Sequence, residues 1–187
     1  MIEQEIRNTI NALKKGQLIL YPTDTVWGIG CDATNYDAVE KIYALKQRHE
    51  TKSMICMVDS IRMLKQYVEH VPEAAYNIIK YAQNPTTIIY DKPKRISENI
   101  VSSDDTLAIR IANDNFCKTL IKSFKKPIVS TSANLSGQPT PLCFEEIHAD
   151  ILKGVDYVVN LHRKKRSSKA SSIIKLTNDG QVTVIRA

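Results

Sequence analysis

The chain has 187 residues, 43% of them hydrophobic and 25% charged, the profile of a globular domain large enough to bury a core without disulfides or metals. No apolar run approaches the ~20 residues of a membrane-spanning helix, and the acidic N-terminus MIEQEIRNTI is no secretory signal, so a single cytoplasmic domain over 1–187 is expected. The net charge of +6 favours partners that carry phosphate, whether nucleotides or nucleic acid.

Ile2, Ile6, Ile10 and Leu13 recur at helical spacing and Gly16 is a natural stop, which predicts an amphipathic helix over 2–15. Leu18–Gly30, LILYPTDTVWGIG, starts as a buried strand and bends at Pro22, which has no backbone donor. It then runs through Thr23, Asp24 and Thr25 to Gly28 and Gly30. A buried strand ending in hydroxyls and a carboxylate suits a ligand-facing lip, with glycines allowing close approach. It also suits an ordinary strand–turn–strand.

Asn35 caps a second predicted helix that ends near Lys46 and carries an apolar stripe of Val39, Ile42, Tyr43 and Leu45. Lys46 falls on that inward stripe, with Arg48 and Lys52 close behind. The three cations suit an anion site, and a lysine at a helix end can equally snorkel into water. A strand over 53–58, a Ser60-capped helix, a helix from Pro72 to Tyr81 and a strand over 86–90 follow. Residues 92–105 read as a charged loop.

Thr106–Ala112 is a strand interrupted by Arg110. A buried unpaired charge costs several kcal/mol, so Arg110 requires a carboxylate, from the protein or from a ligand. Asp114 caps a helix with Phe116, Leu120, Ile121 and Phe124 inward, and the strand from Pro127 runs into the polar Ser130–Gly137 segment. Hydroxyls and backbone N–H groups beyond a strand's end suit an oxyanion, as they suit any polar loop. A short helix over 145–152, a strand VDYVV and a hairpin about Asn178-Asp179-Gly180 complete the chain. The block HRKKRSSK, residues 162–169, is basic and reads first as a solvated loop. Cys31, Cys56, Cys117 and Cys143 lie far apart and read as reduced thiols, with no zinc pattern. Helices alternating with strands give an α/β class with an open, mixed, twisted sheet.

Neither a Walker-A nor a Rossmann glycine pattern occurs. YPTDTVWGIG, LKQR, LAIRIAND and STSANLSG, in that order, resemble the YrdC/Sua5 family and its short bacterial TsaC members, over about residues 6 to 186. The resemblance implies a twisted open sheet with flanking helices and a concave basic face. It implies a threonylcarbamoyl-AMP synthase, which uses L-threonine, bicarbonate or CO2, and ATP, with Mg²⁺ arriving on the ATP phosphates. A separate complex then moves the threonylcarbamoyl group to adenosine 37 of tRNA. Contact with that complex or with tRNA is left open, and no membrane partner is expected.

The family's K-x-R and S-x-N signatures fall on Lys46, Arg48, Ser132 and Asn134, which the resemblance makes catalytic. It gives Thr25, Arg110 and Ser130 to L-threonine, and Arg48, Lys52, Thr106, Ser132, Thr140 and Arg186 to ATP. The sequence departs from the family at Trp27, at His49 in place of a proline, at Met57 where some relatives have a histidine, at Asn84-Pro85-Thr86-Thr87 and at the closing Arg186-Ala187. An RNA-binding protein of the same fold without synthase activity is the alternative, fitted by the basic block. A carbamoyl-adenylate-forming domain of the hydrogenase-maturation kind lacks the expected zinc-finger cysteines here.

Overall fold

A computed structural model describes residues 1–47, 54–167 and 170–187. Helix α1 (Ile2–Lys14) carries its apolar stripe inward at Ile6 and Leu13 and stops where Gly16 takes a positive φ of 66°. Strands β1 (Ile19–Tyr21) and β2 (Gly28–Gly30) pair antiparallel around the Pro22–Trp27 turn. Helix α2 (Tyr36–Lys46) starts at Asn35, whose side chain accepts from the Ala38 N–H at 3.1 Å, a cap of about 1 kcal/mol.

Next come β3 (Ile55–Val58), α3 (Ile61–Tyr67), α4 (Glu73–Tyr81), β4 (Thr86–Asp91) and β5 (Thr106–Ile111). Ser60 caps α3 as its sequence predicts. Helix α5 (Asn115–Phe124) is capped by Asp114, which accepts from Cys117 N at 2.8 Å, and leads to β6 (Ile128–Ser132). The chain closes with α6 (Ala149–Gly154), β7 (Tyr157–Val158), β8 (Ser172–Leu176) and β9 (Val182–Arg186).

Three expectations are corrected. The predicted helix over 145–152 divides into a 3₁₀ turn, Phe144–Glu146, and α6, with His148 between them capping the second. The VDYVV strand shortens to two residues, β7. The 92–105 segment is not only a surface loop: its 3₁₀ turn, Glu98–Ile100, buries Asn99 and Ile100 under α2, where the Tyr43 hydroxyl donates to the Asn99 carbonyl at 2.9 Å.

The strands form one sheet in the order β7-β1-β2-β6-β3-β5-β4-β8-β9, mixed as expected. The pairs β1–β7, β3–β5 and β4–β8 are parallel and the others antiparallel. Side chains alternate across the sheet. One face turns Leu20, Ile29, Cys56, Val58, Ile109 and Val129 into the core beneath α1, α3 and α5. The opposite face carries Gly28, Ser130, Ser132, Ile55, Ala108, Arg110 and Ile89, brought side by side by the register Gly28↔Ser132, Ile55↔Ser130, Ile55↔Ala108 and Ile89↔Ala108.

Candidate active site

That second face holds a cavity of about 350 Å³. Its polar wall is Thr23, Thr25, Arg110, Ser130, Ser132, Thr140, Ser171 and Arg186; Ile55, Ile89, Ile173 and Ile185 form its apolar side. Of the expected site residues, Thr25, Arg110, Ser130, Ser132, Thr140 and Arg186 therefore meet in one place, from segments spanning most of the sequence. Arg48 and Lys52 lie outside the described residues.

Each group is positioned by local structure. The Thr23 hydroxyl donates to the Val26 carbonyl at 2.7 Å and stands 3.0 Å from the Thr25 hydroxyl, so the lip is an internally bonded turn. A Cβ at Gly28 would sit 3.3 Å from the Ser130 hydroxyl, so this glycine keeps the space beside Ser130. Arg186 donates through Nε and Nη2 to the Ser171 carbonyl, at 2.9 and 2.6 Å, and Ser171 in turn shares a 2.8 Å hydrogen bond with Thr87. One side of the guanidinium is thus occupied by the strap leading into β8.

Lys46 is 1% exposed, on the inward stripe as predicted. Its ammonium donates to the backbone carbonyls of Ser132 and of Asn134, the latter at 2.8 Å, and does not line the cavity wall. The Ser136 N–H returns a bond to the Lys46 carbonyl at 2.9 Å. The Asn134 side chain also faces its own loop, donating to the carbonyls of Leu135 and Gln138 at 3.0 and 2.8 Å. In this geometry Lys46 and Asn134 shape the Ser132–Gln138 loop from behind. Thr106 shares the face of β5 with Ala108 and Arg110 but lies beyond the wall, with its hydroxyl donating to Asp104 at 2.7 Å.

Arg110, 4% exposed, has the partner that a charge in a strand demands, and it is a protein carboxylate: Asp24 Oδ1 lies 3.1 Å from Nη2. Nη2 also approaches the Met57 sulfur at 3.6 Å, where the register Met57↔Arg110 puts a thioether under the guanidinium. Burial pushes the Asp24 carboxyl up; Arg110 pulls it down and Asp114 adds to the rise. Burial likewise pushes the Tyr21 phenol, behind Ser130, well above its ordinary value. Sequence reasoning placed Asp24 in a ligand-facing lip with Thr23 and Thr25 and did not pair it with Arg110. The available signal was a carboxylate inside a run otherwise fit for burial.

Among the described residues the cavity wall carries the guanidinium groups of Arg110 and Arg186 and no carboxylate. Such a wall accepts anions. Among the described residues no group of three or more His, Cys, Asp or Glu side chains could hold a metal ion, and no helix is long and apolar enough to cross a membrane.

The Sua5–YciO–YrdC family model, described as "Telomere recombination", matches residues 11–187. A threonylcarbamoyl-AMP synthase of Pseudoalteromonas translucida is 36% identical over 161 residues, 84% of this chain and 86% of the relative. One from Vibrio parahaemolyticus is 32% identical, over 89% of this chain and 95% of the relative. Among solved structures, Pyrococcus abyssi Sua5 complexed with L-threonine superposes with a TM-score of 0.81 at 26% identity, covering 91% of this chain. The chain spans about half the length of that Sua5, 50%.

Proposed function

The chain belongs to the Sua5–YciO–YrdC family, and from that premise we propose that it is an ATP-dependent L-threonylcarbamoyladenylate synthase serving tRNA modification. It joins L-threonine, bicarbonate or CO2, and ATP into threonylcarbamoyl-AMP and pyrophosphate. The observation that carries this reading is the cavity of about 350 Å³ in which Thr25, Arg110, Ser130, Ser132, Thr140 and Arg186 converge.

The chemistry asks for such a wall. The amine of threonine adds to CO2, losing a proton and becoming a carbamate. A carbamate oxygen then attacks the α-phosphorus of ATP; the new O–P bond forms as the bond to the β-phosphate oxygen breaks, and pyrophosphate leaves. Two anions must meet, so fixed positive charge and preorganised donors lower the barrier more than a strong base would. Arg110, with Thr25 and Ser130 beside it, takes the amino-acid end. A guanidinium fits a carboxylate bidentately. Ser132, Thr140 and Arg186 face the nucleotide, and Lys46 holds the carbonyls of Ser132 and Asn134 so that the loop keeps its shape. Arg48 and Lys52 are proposed for ATP on the family signature alone. The described residues of the wall offer no carboxylate ligand set, and Mg²⁺ is proposed only as the ion accompanying ATP, with no step assigned to it.

The test is pyrophosphate release with ATP, bicarbonate and Mg²⁺, with and without L-threonine. Threonine-dependent release that falls at least a hundredfold in Arg110→Ala supports the synthase. Salt-sensitive tRNA binding without any release would overturn it in favour of an RNA-binding role.

A further inference from the structure

Asp24 stands between Thr23 and Thr25 in the lip, yet it turns the other way. The two threonines line the cavity described above, whereas Asp24 lines a second cavity of about 340 Å³ over the opposite sheet face, with Ile111, Asn113 and Lys118. Arg110 lies between: it lines the front cavity and meets Asp24 behind, at 3.1 Å. The side chains are 4% and 9% exposed, so neither charge is screened by water. Arg110 Nε lacks a hydrogen-bond partner and Arg110 makes no other ion pair among the described residues, while the Asp24 carboxyl is approached besides only by the backbone N–H groups of Asn113 and of Asp24 itself. What holds the guanidinium is therefore charge contact with Asp24 and packing on Met57.

We infer that Asp24 is a positioning residue for amino-acid recognition: from behind the sheet it fixes the guanidinium of Arg110 so that the free donor edge faces the front cavity and takes the substrate's α-carboxylate. This rests on the proposed assignment of Arg110 to that carboxylate. A guanidinium has five N–H donors in a rigid fork. Anchoring one edge determines where the other points, and leaves the charge on Arg110 paired when no substrate is bound. An isosteric neutral side chain removes the anchor without removing volume. The cavity behind Asp24 has room for one more methylene, so a longer carboxylate side chain can restore the contact.

The experiment is steady-state synthase kinetics on the full chain for wild type, Asp24→Asn, Asp24→Glu, Arg110→Lys and the double variant Asp24→Asn/Arg110→Lys, each first checked for folding by circular dichroism. In Asp24→Asn the KM for L-threonine should rise at least tenfold, while kcat at saturating threonine and the KM for ATP stay within about threefold. Asp24→Glu should recover most of the threonine KM, and in the Arg110→Lys background Asp24→Asn should add nothing. A threonine KM unchanged in Asp24→Asn, a loss shared equally by kcat, or an Asp24→Glu no better than Asp24→Asn overturns the inference. If Asp24→Asn does not fold, Asp24→Glu and its combination with Arg110→Lys decide alone: a threonine KM shift in Asp24→Glu that persists undiminished beside Arg110→Lys overturns it. Should Arg110→Lys leave the threonine KM untouched, it is the assignment of Arg110 itself that fails, whatever Asp24 does.

Discussion

The Lys46 ammonium, at the last turn of α2, donates to the Asn134 carbonyl at 2.8 Å across 88 positions of sequence, and it reaches the Ser132 carbonyl as well. A buried cation thus holds together the backbone of the loop that carries the Ser132 hydroxyl. Lys46→Met keeps the stem and removes the donor, leaving two carbonyls short of a partner at about 1–3 kcal/mol each. The expected result is a melting temperature lower by several degrees, at least a hundredfold loss of pyrophosphate release, and faster amide exchange over 132–138. Hydrogen exchange read by mass spectrometry checks the last, and unchanged exchange there would refute the loop-holding role.

Gly30 and Gly28 separate stability from activity on one strand. A Cβ at Gly30 would meet the Val129 carbonyl oxygen at 2.6 Å and the Tyr21 ring at 2.7 Å, both in the packed core. Gly30→Ala should therefore cost about 1–3 kcal/mol or more, read as a fall of about 2–4 °C per kcal/mol for a chain of this size. At Gly28 the nearest atom is the Ser130 hydroxyl at 3.3 Å, which can yield. Gly28→Ala should melt within about 2 °C of wild type and raise the threonine KM. Thermal melts of the two variants beside their kinetics check the contrast.

The Asp24 carboxyl sets a pH dependence. Burial, the largest cause, raises its folded-state pKa from 3.8, Arg110 partly opposes this and Asp114 reinforces it. A raised value means the folded chain holds the proton more tightly than the unfolded chain. This carboxyl's contribution to stability is then complete below its ordinary value and is lost as pH rises through its folded value. The stability of wild type minus that of Asp24→Asn should accordingly decline with rising pH over that window. Urea unfolding of both proteins at a series of pH values rising from the ordinary carboxyl value of 3.8 measures it; a difference that grows with pH contradicts the assignment.

Thiol reactivity gives a fourth test. Cys31, Cys56 and Cys117 are buried, and burial pushes each thiol upward, away from the reactive thiolate. The Cys143 thiol is also raised, first by desolvation, but it is only partly buried and so is the one the reagent can reach. Native protein treated with iodoacetamide at pH ~8 should gain one adduct, on Cys143, and four adducts in denaturant, as read by intact mass.

Local chemistry was legible where it acts over a few residues. The capping positions Asn35, Ser60 and Asp114 stand where the sequence predicts, because a short polar side chain before an apolar period satisfies N–H groups only three residues away. The inward seat of Lys46 followed from the stripe of α2, and the need of Arg110 for a carboxylate followed from charge burial. The partners themselves lie 86 residues from each, Asn134 being 88 from Lys46, and no periodicity reports such a distance. The anionic partner could be of either kind by sequence; it is Asp24, hidden because the direction of each side chain in the Pro22–Trp27 turn is set by its own hydrogen bonds and by no strand or helix period. Thr106 is not among the described wall residues, and its hydroxyl donates to Asp104 at the strand's start, a local contact that the strand period does not report. The split at His148 was missed because a 3₁₀ turn and a six-residue helix share one apolar period.

Strand β6 is zipped between two antiparallel neighbours, with Ser132 opposite Gly28 and Ser130 opposite Ile55. Sliding it by one position would exchange both hydroxyl residues for Val129 and Thr131 and send the serines into the hydrocarbon interior. Errors of assembly in this chain are consequently all-or-nothing. A preparation of low specific activity should hold a fraction of inert molecules among fully competent ones, and active-site titration rather than average turnover is the proper gauge of its quality.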